Sequence, residues 1–254
     1  IKALLNRVSP ASLISDDAPE VEGITLITPA QVFSPSTPWD GFAPDEEGGI
    51  AIELFTSGTT GDPKSAILRH DNLMAYILGT IEFMSAEETQ STLVSVPPYH
   101  IAGISAILSS VYAGRRMVQL PNFSPEAWIK LAIQENVSQA FLVPTMLQRI
   151  IEHVTNINET LHLPAMQAIA YGGGKMPHAV IGQAMSIMPH VNFTNAYGLT
   201  ETSSTICLLD PDDHREAFES EDPALRARLS SVGKPLPAVE LEIRDDNNAP
   251  CGAG

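Results

Sequence analysis

Between Thr56 and Lys64 the chain reads Thr-Ser-Gly-Thr-Thr-Gly-Asp-Pro-Lys, after an apolar run and before Ser65. Gly58 and Gly61 permit φ > 0 and let a ligand come close to the backbone. The hydroxyls of Thr56, Ser57, Thr59 and Thr60, with the free N–H groups around them, can surround anionic oxygens while Lys64 supplies a counter-charge. Polyphosphate is the natural guest. A Walker-type phosphate loop is excluded by spacing, because it needs Gly directly before Lys-Ser/Thr. Pro63 stands there instead, with no N–H to donate and a fixed φ.

A second segment, Asn195-Ala196-Tyr197-Gly198-Leu199-Thr200-Glu201-Thr202, combines an aromatic ring beside glycine with a hydroxyl beside a carboxylate. The ring offers a flat surface to a heteroaromatic base, and Glu201 is a hard oxygen ligand. Mg²⁺ takes one or two protein carboxylates and completes its shell with phosphate and water, so a single Glu201 suffices beside a polyphosphate. Upstream lies Tyr171-Gly172-Gly173-Gly174-Lys175-Met176-Pro177, on its own a strand-to-helix turn, with Lys175 read as a surface residue. Val96-Pro97-Pro98-Tyr99-His100-Ile101-Ala102-Gly103 contributes a histidine, and Ser231-Val232-Gly233-Lys234-Pro235 a proline-bounded turn.

Short apolar runs at 11–15, 23–27, 50–55, 92–96, 117–120, 139–143, 166–170, 191–194, 205–209 and 239–244 read as strands. Helical patterns fall between them at 71–84, 101–112, 124–134, 144–154 and 177–188. This alternation predicts an α/β fold with mostly parallel sheets flanked by helices. Residues 23–49 hold four prolines and read as an irregular connection; residues 210–223 carry seven acids in fourteen positions and read as an exposed, mobile loop. With 44% hydrophobic residues among 254, whole-chain disorder is excluded. Thirty acids against 14 bases, without basic clusters, exclude a nucleic-acid partner. The acid lies at the two ends. Residues 101–200 hold only four acids and five bases, as expected of an interior that receives an uncharged ligand tail. Two cysteines without a CxxC spacing point to a reducing, cytoplasmic compartment, and no apolar run is long enough for a transmembrane helix.

Taken in order, these segments resemble the adenylate-forming (AMP-binding) superfamily of acyl- and aryl-CoA synthetases, nonribosomal peptide adenylation domains and luciferases. The family usually has Gly after the lysine, where this chain has Ser65. The resemblance implies that Thr56, Ser57, Gly58, Thr59, Thr60, Gly61 and Lys64 cradle the phosphates of ATP. It implies that Tyr197 packs on adenine within the Asn195–Gly198 segment, that Thr200 hydrogen-bonds the α-phosphate, and that Glu201 binds Mg²⁺. Gly172, Gly173 and Gly174 would line adenine and the acyl pocket, His100 and Gly103 would lie beside the acyl carboxylate, and Gly233 near the pantetheine tunnel. Amino-acid-activating relatives carry an Asp near His100 to pair the substrate ammonium; residues 99–102 offer none, which favours an acid without an α-amine.

The implied reaction joins a carboxylic acid to the α-phosphate of ATP, releases pyrophosphate, and then forms a thioester with CoA; Lys64, Thr200, Glu201 and His100 would carry it. The alternatives are a domain that loads a carrier protein and a non-catalytic nucleotide-binding module. The family continues past Gly254 into a ribose-binding Thr-Gly-Asp motif, a hinge and a small lysine-bearing domain, so the C-terminal small domain is expected to be absent. The expected layout is a partial first subdomain over 1–49, an AMP-binding core over 50–231 and the start of a β subdomain over 232–254. By itself this chain should bind nucleotide weakly and turn over little in pyrophosphate exchange; near-normal exchange would overturn that expectation.

Overall fold

The short apolar runs of this chain compete for pairing, and the described residues of the computed structural model (2–18, 21–36, 48–56, 64–157 and 161–252) sort them into three sheets. Two compact units divide the chain, Ile1–Asp45 and Glu46–Gly254. The first contains helix α1 (Lys2–Val8), strand β1 (Ser12–Ile14) paired in parallel with β2 (Thr25–Ile27), and the single turn α2 (Pro29–Val32). Thr28 caps α2 by accepting from the Gln31 N–H, and Pro29 occupies the first helical position. The proline-rich stretch is therefore partly ordered by its own capping chemistry.

The second unit begins with an antiparallel hairpin of β3 (Ile50–Thr56) and β4 (Lys64–Arg69), in which Thr56 faces Lys64. Residues 57–63, and with them Ser57, Gly58, Thr59, Thr60 and Gly61, lie outside the described residues. β4 was not expected from the sequence. Its buried residues, Ala66 and Leu68, alternate with exposed ones, a strand period of two behind a polar start. Helix α3 (His70–Thr80) follows, then β5 (Ser91–Val94), α4 (Ile101–Ala113), β6 (Arg116–Gln119), α5 (Pro125–Gln134), β7 (Gln139–Leu142) and α6 (Pro144–Ile157). The chain continues through β8 (Ala168–Gly172), α7 (His178–Ile187), β9 (Asn192–Leu199), a 3₁₀ turn (Thr200–Thr202) and β10 (Ser204–Leu209). Helices α8 (Pro211–Glu219) and α9 (Pro223–Ala227) and the short β11 (Lys234–Pro235) complete it. Among the described residues no helix is long and apolar enough to cross a membrane.

The seven-stranded sheet has the order β11-β10-β9-β8-β7-β5-β6, parallel from β9 to β6 and antiparallel at β10 and β11. The expected α/β fold with a largely parallel sheet is thus what the chain adopts. All four residues of β5 are buried, as befits a parallel strand covered on both faces. Side chains alternate along β8: Ile169 and Tyr171 enter a core with Trp128, Leu147, Ile150 and Ile181, from α5, α6 and α7. Ala170 points to the other face, where it lines a cavity with residues of α4.

Two expectations are corrected. The run 210–223 is not a loop but two helices, each started by an Asp-Pro pair. Asp210 accepts from the Asp213 N–H at 2.7 Å and Asp222 from the Ala224 N–H at 2.8 Å, with Pro211 and Pro223 next in line. The acids Asp212 and Asp213 sit in the first turn of α8, where the helix dipole favours negative charge. The same signal was legible at Ser124-Pro125-Glu126, where Ser124 caps α5 as expected. Residues 239–244 form no strand beyond an isolated bridge of Arg244 with Pro250; Leu241 and Ile243 stay exposed because no described strand lies beside them.

Helix α8 is bolted to β8 by a buried pair. The Tyr171 hydroxyl lies 2.8 Å from Nε2 of His214, whose Nδ1 lies 2.7 Å from the Asp210 carbonyl. The ring therefore donates from Nδ1 and accepts the Tyr171 proton at Nε2, which makes it neutral. Burial pushes the pKa of His214 down, together with Arg215, and outweighs the upward pull of the Asp210 carbonyl and the Asp210 and Asp213 charges. The unfolded chain protonates this ring and the folded chain resists it, so stability should be complete above about pH 6.5 and decline as pH falls below it. Urea titrations should show that decline, and His214→Leu should flatten it. Tyr171→Phe, which orphans Nε2, should cost about 1–3 kcal/mol of unfolding free energy.

Candidate active site

β5 connects through α4 to β6 on one side, and β6 returns through α5 to β7 on the other. Such a reversal of strand order opens a crevice beyond the carboxyl ends of the strands. A cavity of about 640 Å³ lies there. Its walls come from the segments after β5 (Val96, His100), β7 (Val143) and β8 (Gly172, Gly173, Gly174), from Asn195, Ala196, Tyr197 and Gly198 on β9, and from Thr200 and Glu201 on the 3₁₀ turn. Thr56, at the end of β3, also contributes to the wall.

Most sequence-predicted residues are brought together here. Tyr197 is 39% exposed, its ring free to meet a ligand at the cavity wall. Asn195 is anchored by its Nδ2 donating to the Ser231 carbonyl at 2.9 Å. The 3₁₀ turn lies against β4 and is held by the Thr202 hydroxyl, which accepts from the Leu199 N–H at 2.9 Å and reaches the Ser204 carbonyl at 2.9 Å. That leaves the Glu201 carboxylate exposed. His100 stands at the backbone N-cap of α4, and its exposed ring lies tilted against that of Tyr99, with centroids 4.7 Å apart.

Others are used differently. Lys64 is exposed on β4, outside the wall, with its carbonyl 3.5 Å from the Thr56 hydroxyl. Gly103 and Gly233 line neither of the two cavities described here. A Cβ at Gly103 would fall 2.4 Å from the Pro97 carbonyl oxygen, so this glycine lets α4 start against the 96–97 backbone. Gly233, at φ +77°, passes as closely to Leu208. Gly172 and Gly198 are likewise spent on backbone approach: a Cβ would fall 2.2 Å from Ala196 O and 1.7 Å from Ser204 O, respectively. Lys175 is exposed, as read from the sequence, and lies at the wall of the larger cavity.

Among the described residues Lys175 and Glu201 are the formal charges of that wall, one of each sign. Among the described residues no cluster of three or more metal-ligating side chains exists. A divalent ion at Glu201 would draw its remaining ligands from a bound phosphate and water, the arrangement Mg²⁺ favours and Ca²⁺ does not. The donor set fits Mg²⁺ delivered with a polyphosphate.

A second cavity of about 300 Å³ lies between α4 and the sheet. It shares Ile101, Ala102, Gly173, Ala196 and Gly198 with the first as a common wall. It extends along α4 past Ser105, Ala106 and Ser109 to Arg115. Among the described lining residues Arg115 is the one formal charge, as the charge-poor composition of residues 101–200 leads one to expect. The sequence showed Arg115 only as half of an Arg-Arg pair; which of the two turns inward depends on the α4–β6 junction.

A family model described as AMP-binding enzyme matches residues 3–254. Among curated proteins, the 2-succinylbenzoate–CoA ligase of Bacillus cereus is 28% identical over 97% of this chain and 51% of its own length. The chain thus spans about half the length of the curated relatives it matches. Among solved structures, the amide bond synthetase McbA of Marinactinospora thermotolerans is 28% identical, with a TM-score of 0.75 over 100% of this chain and 47% of its own. The O-succinylbenzoate coenzyme A synthetase (MenE) of Bacillus subtilis, in complex with ATP and magnesium ion, has the same fold. Its TM-score is 0.78 at 24% identity, over 98% of this chain and 50% of its own.

The close approach at Gly198 is open to direct test. Gly198→Ala should force β9 and β10 apart and cost about 1–3 kcal/mol in urea unfolding, the range for overpacking a tight contact.

Proposed function

The chain belongs to the AMP-binding enzyme family, and we propose that it forms the nucleotide- and acid-binding part of an enzyme that activates a carboxylic acid with ATP and transfers the acyl group to CoA. One observation carries this reading: a cavity with a single carboxylate, Glu201, among its described lining residues shares a small-residue wall with a second cavity lined mostly by apolar and hydroxyl side chains. The larger compartment suits ATP and the smaller one the acyl group. Among the described residues no acidic side chain lines the smaller cavity, which supports an acid without an α-amine. The names of the relatives, CoA ligases, support CoA as acceptor. Cys207 and Cys251 are free thiols, in keeping with the cytoplasm.

A carboxylate is already ionised at neutral pH, so the first step needs no general base. Its oxygen forms a bond to the α-phosphorus while the bond to the bridging oxygen breaks, and pyrophosphate departs with the electron pair. Two anions must meet, so this chain has to hold them in line and offset their repulsion. In this reading Thr200 donates to the α-phosphate, Tyr197 packs on the base, and Thr56 and Lys64 flank the phosphate-binding residues 57–61. His100, at the start of α4, orients the acid carboxylate at the shared wall. Glu201 holds Mg²⁺, whose charge would offset that of the phosphates. Lys175 adds a cation to the same compartment. The division at Asp45 supports a first subdomain ending near residue 49, with the AMP-binding core over 50–231 and the following β subdomain beginning near 232.

The test is pyrophosphate release by the full-length enzyme over a panel of carboxylic acids with and without α-amines, followed by detection of acyl-CoA. Amine-free acids should be consumed with ATP and CoA, and Glu201→Gln should lower kcat by about 10²-fold. An unchanged kcat in Glu201→Gln, or consumption of amino acids alone, would overturn the proposal.

A further inference from the structure

Four consecutive side chains of α8 each reach a different segment around the larger cavity. Lys234 donates from Nζ to Oδ2 of Asp213 at 2.8 Å, and Arg228 donates from Nη1 to Oε2 of Glu216 at 3.3 Å. Between those acids, His214 Nε2 accepts from the Tyr171 hydroxyl at 2.8 Å, and Tyr171 is next in the chain to the wall residue Gly172. Arg215 donates to Oδ1 of Asn192 at 2.7 Å, where β9 begins its run toward Asn195 and Tyr197. At 3.6 residues per turn, neighbouring side chains point about 100° apart, so four in a row address the whole circumference of a helix. The two acids, three residues apart, share one face of it.

That acidic face flanks a stretch with little regular structure to fix it. Arg228 opens a 3₁₀ turn (Arg228–Ser230), and Lys234 opens β11, which pairs with β10 at only two positions. Between them Leu229, Ser230 and Val232 all belong to the wall of the larger cavity. Leu229 is anchored in the core and the Ser231 carbonyl accepts from Asn195, but residues 231–233 lie in neither helix nor strand. One ion pair precedes this wall segment and the other follows it, while neither acid lines the cavity itself. We propose that α8 is a positioning device for the nucleotide: Asp213 and Glu216, through Lys234 and Arg228, hold residues 229–232 in place as a wall of the larger compartment and so set its affinity for ATP. The inference rests on the reading above that this compartment takes ATP, and adds what regulates its grip. Pairs this exposed add little to global stability, because water competes with them. What they fix is the place of a short segment that its own backbone leaves free. Asp213, with a side chain only 14% exposed, is the better fixed of the two acids and makes Lys234 the more sensitive point. The acidic run that the sequence analysis left without a role beyond solvation thereby acquires one.

The experiment measures ATP–pyrophosphate exchange by the full-length enzyme without CoA, at saturating levels of a carboxylic acid accepted in the panel above. Lys234→Gln and Asp213→Asn should each raise KM for ATP by about 3–5-fold, the upper end of what one exposed pair supplies. Both should leave kcat and Tm close to those of the unaltered enzyme. The double variant should be no worse than either single one, because only one pair is lost, and Lys234→Arg should restore the KM. Adding Arg228→Gln to Lys234→Gln removes both pairs and should raise KM by about tenfold or more. An unchanged KM for ATP in both single variants, or effects that multiply in the Asp213→Asn, Lys234→Gln double, would overturn the positioning role. So would a rise in KM that follows a matching fall in Tm and is not reversed by Lys234→Arg. If the enzyme exchanges no pyrophosphate, calorimetric binding of ATP with Mg²⁺ takes the place of KM. Affinity that depends on the Asp213–Lys234 pair then keeps the positioning role while the activation chemistry falls, and no ATP binding at all fells both.

Discussion

The reversal of strand order at β5 governs where everything else can sit. One crossover leaves β5 for β6 and the next returns past it to β7. Right-handed crossovers then send α4 and α5 to opposite faces of the sheet, and the packing agrees. Trp128 of α5 lies in the core with Ile169 and Tyr171, whereas Ile104 of α4 packs with Leu54 and Leu68 of the hairpin. Because the two connections depart in opposite directions, no backbone closes the carboxyl-end gap between β5 and β7. His100, Val143 and the three glycines after β8 become walls of the resulting crevice by topology, before any of their side chains is considered.

Glycine then decides how tightly those walls can close. The run 172–174 reads as one motif but does two jobs. Gly172 is buried, and its missing side chain is filled by the Ala196 carbonyl, so β9 can lie against β8 to the end of the strand. Gly173, at φ +77°, faces both cavities and is part of the partition between them. Gly198 repeats the first job one strand further on, letting β10 double back so that the 3₁₀ turn carries Thr200 and Glu201 over the crevice. Substrate space is therefore a by-product of backbone approach at two of these positions and a direct consequence of the missing Cβ at one.

What the sequence made legible follows from the range of the interactions involved. Segments whose signal is local, such as the fully buried run at β5 or the Ser124-Pro125 start of α5, were readable to within a few residues. So were Tyr197, Thr200 and Glu201 as one constellation, because they are neighbours in the chain. β4 was missed because its partner is a hairpin arm rather than a crossover helix, and its first residue, Lys64, reads as loop chemistry. The acidic run was misread because the charge at 210–223 was weighed as a sum, when the positions of Asp210 and Asp222 directly before Pro211 and Pro223 were what mattered. Arg115 and Lys175 belong to a different class. Their places at the cavity walls depend on how α4 meets β6 and how the turn after β8 meets the crevice, and neither is encoded in nearby residues.

The two faces of the sheet show why such residues matter more than their neighbours. On the face covered by α8, the polar groups of Tyr171, His214 and the Asp210 carbonyl satisfy one another, so burial there adds cohesion. On the α4 face, Thr92 Oγ1, Ser105 Oγ and Nε of the half-buried Arg115 are buried atoms without a hydrogen-bond partner. Folding could have removed that cost with apolar residues of similar size, since a buried charge is often replaced by hydrocarbon without loss of stability. A chain that keeps an arginine and two hydroxyls around a cavity of small-molecule size, with no acid among the described lining residues to neutralise them, has a surplus of donors there.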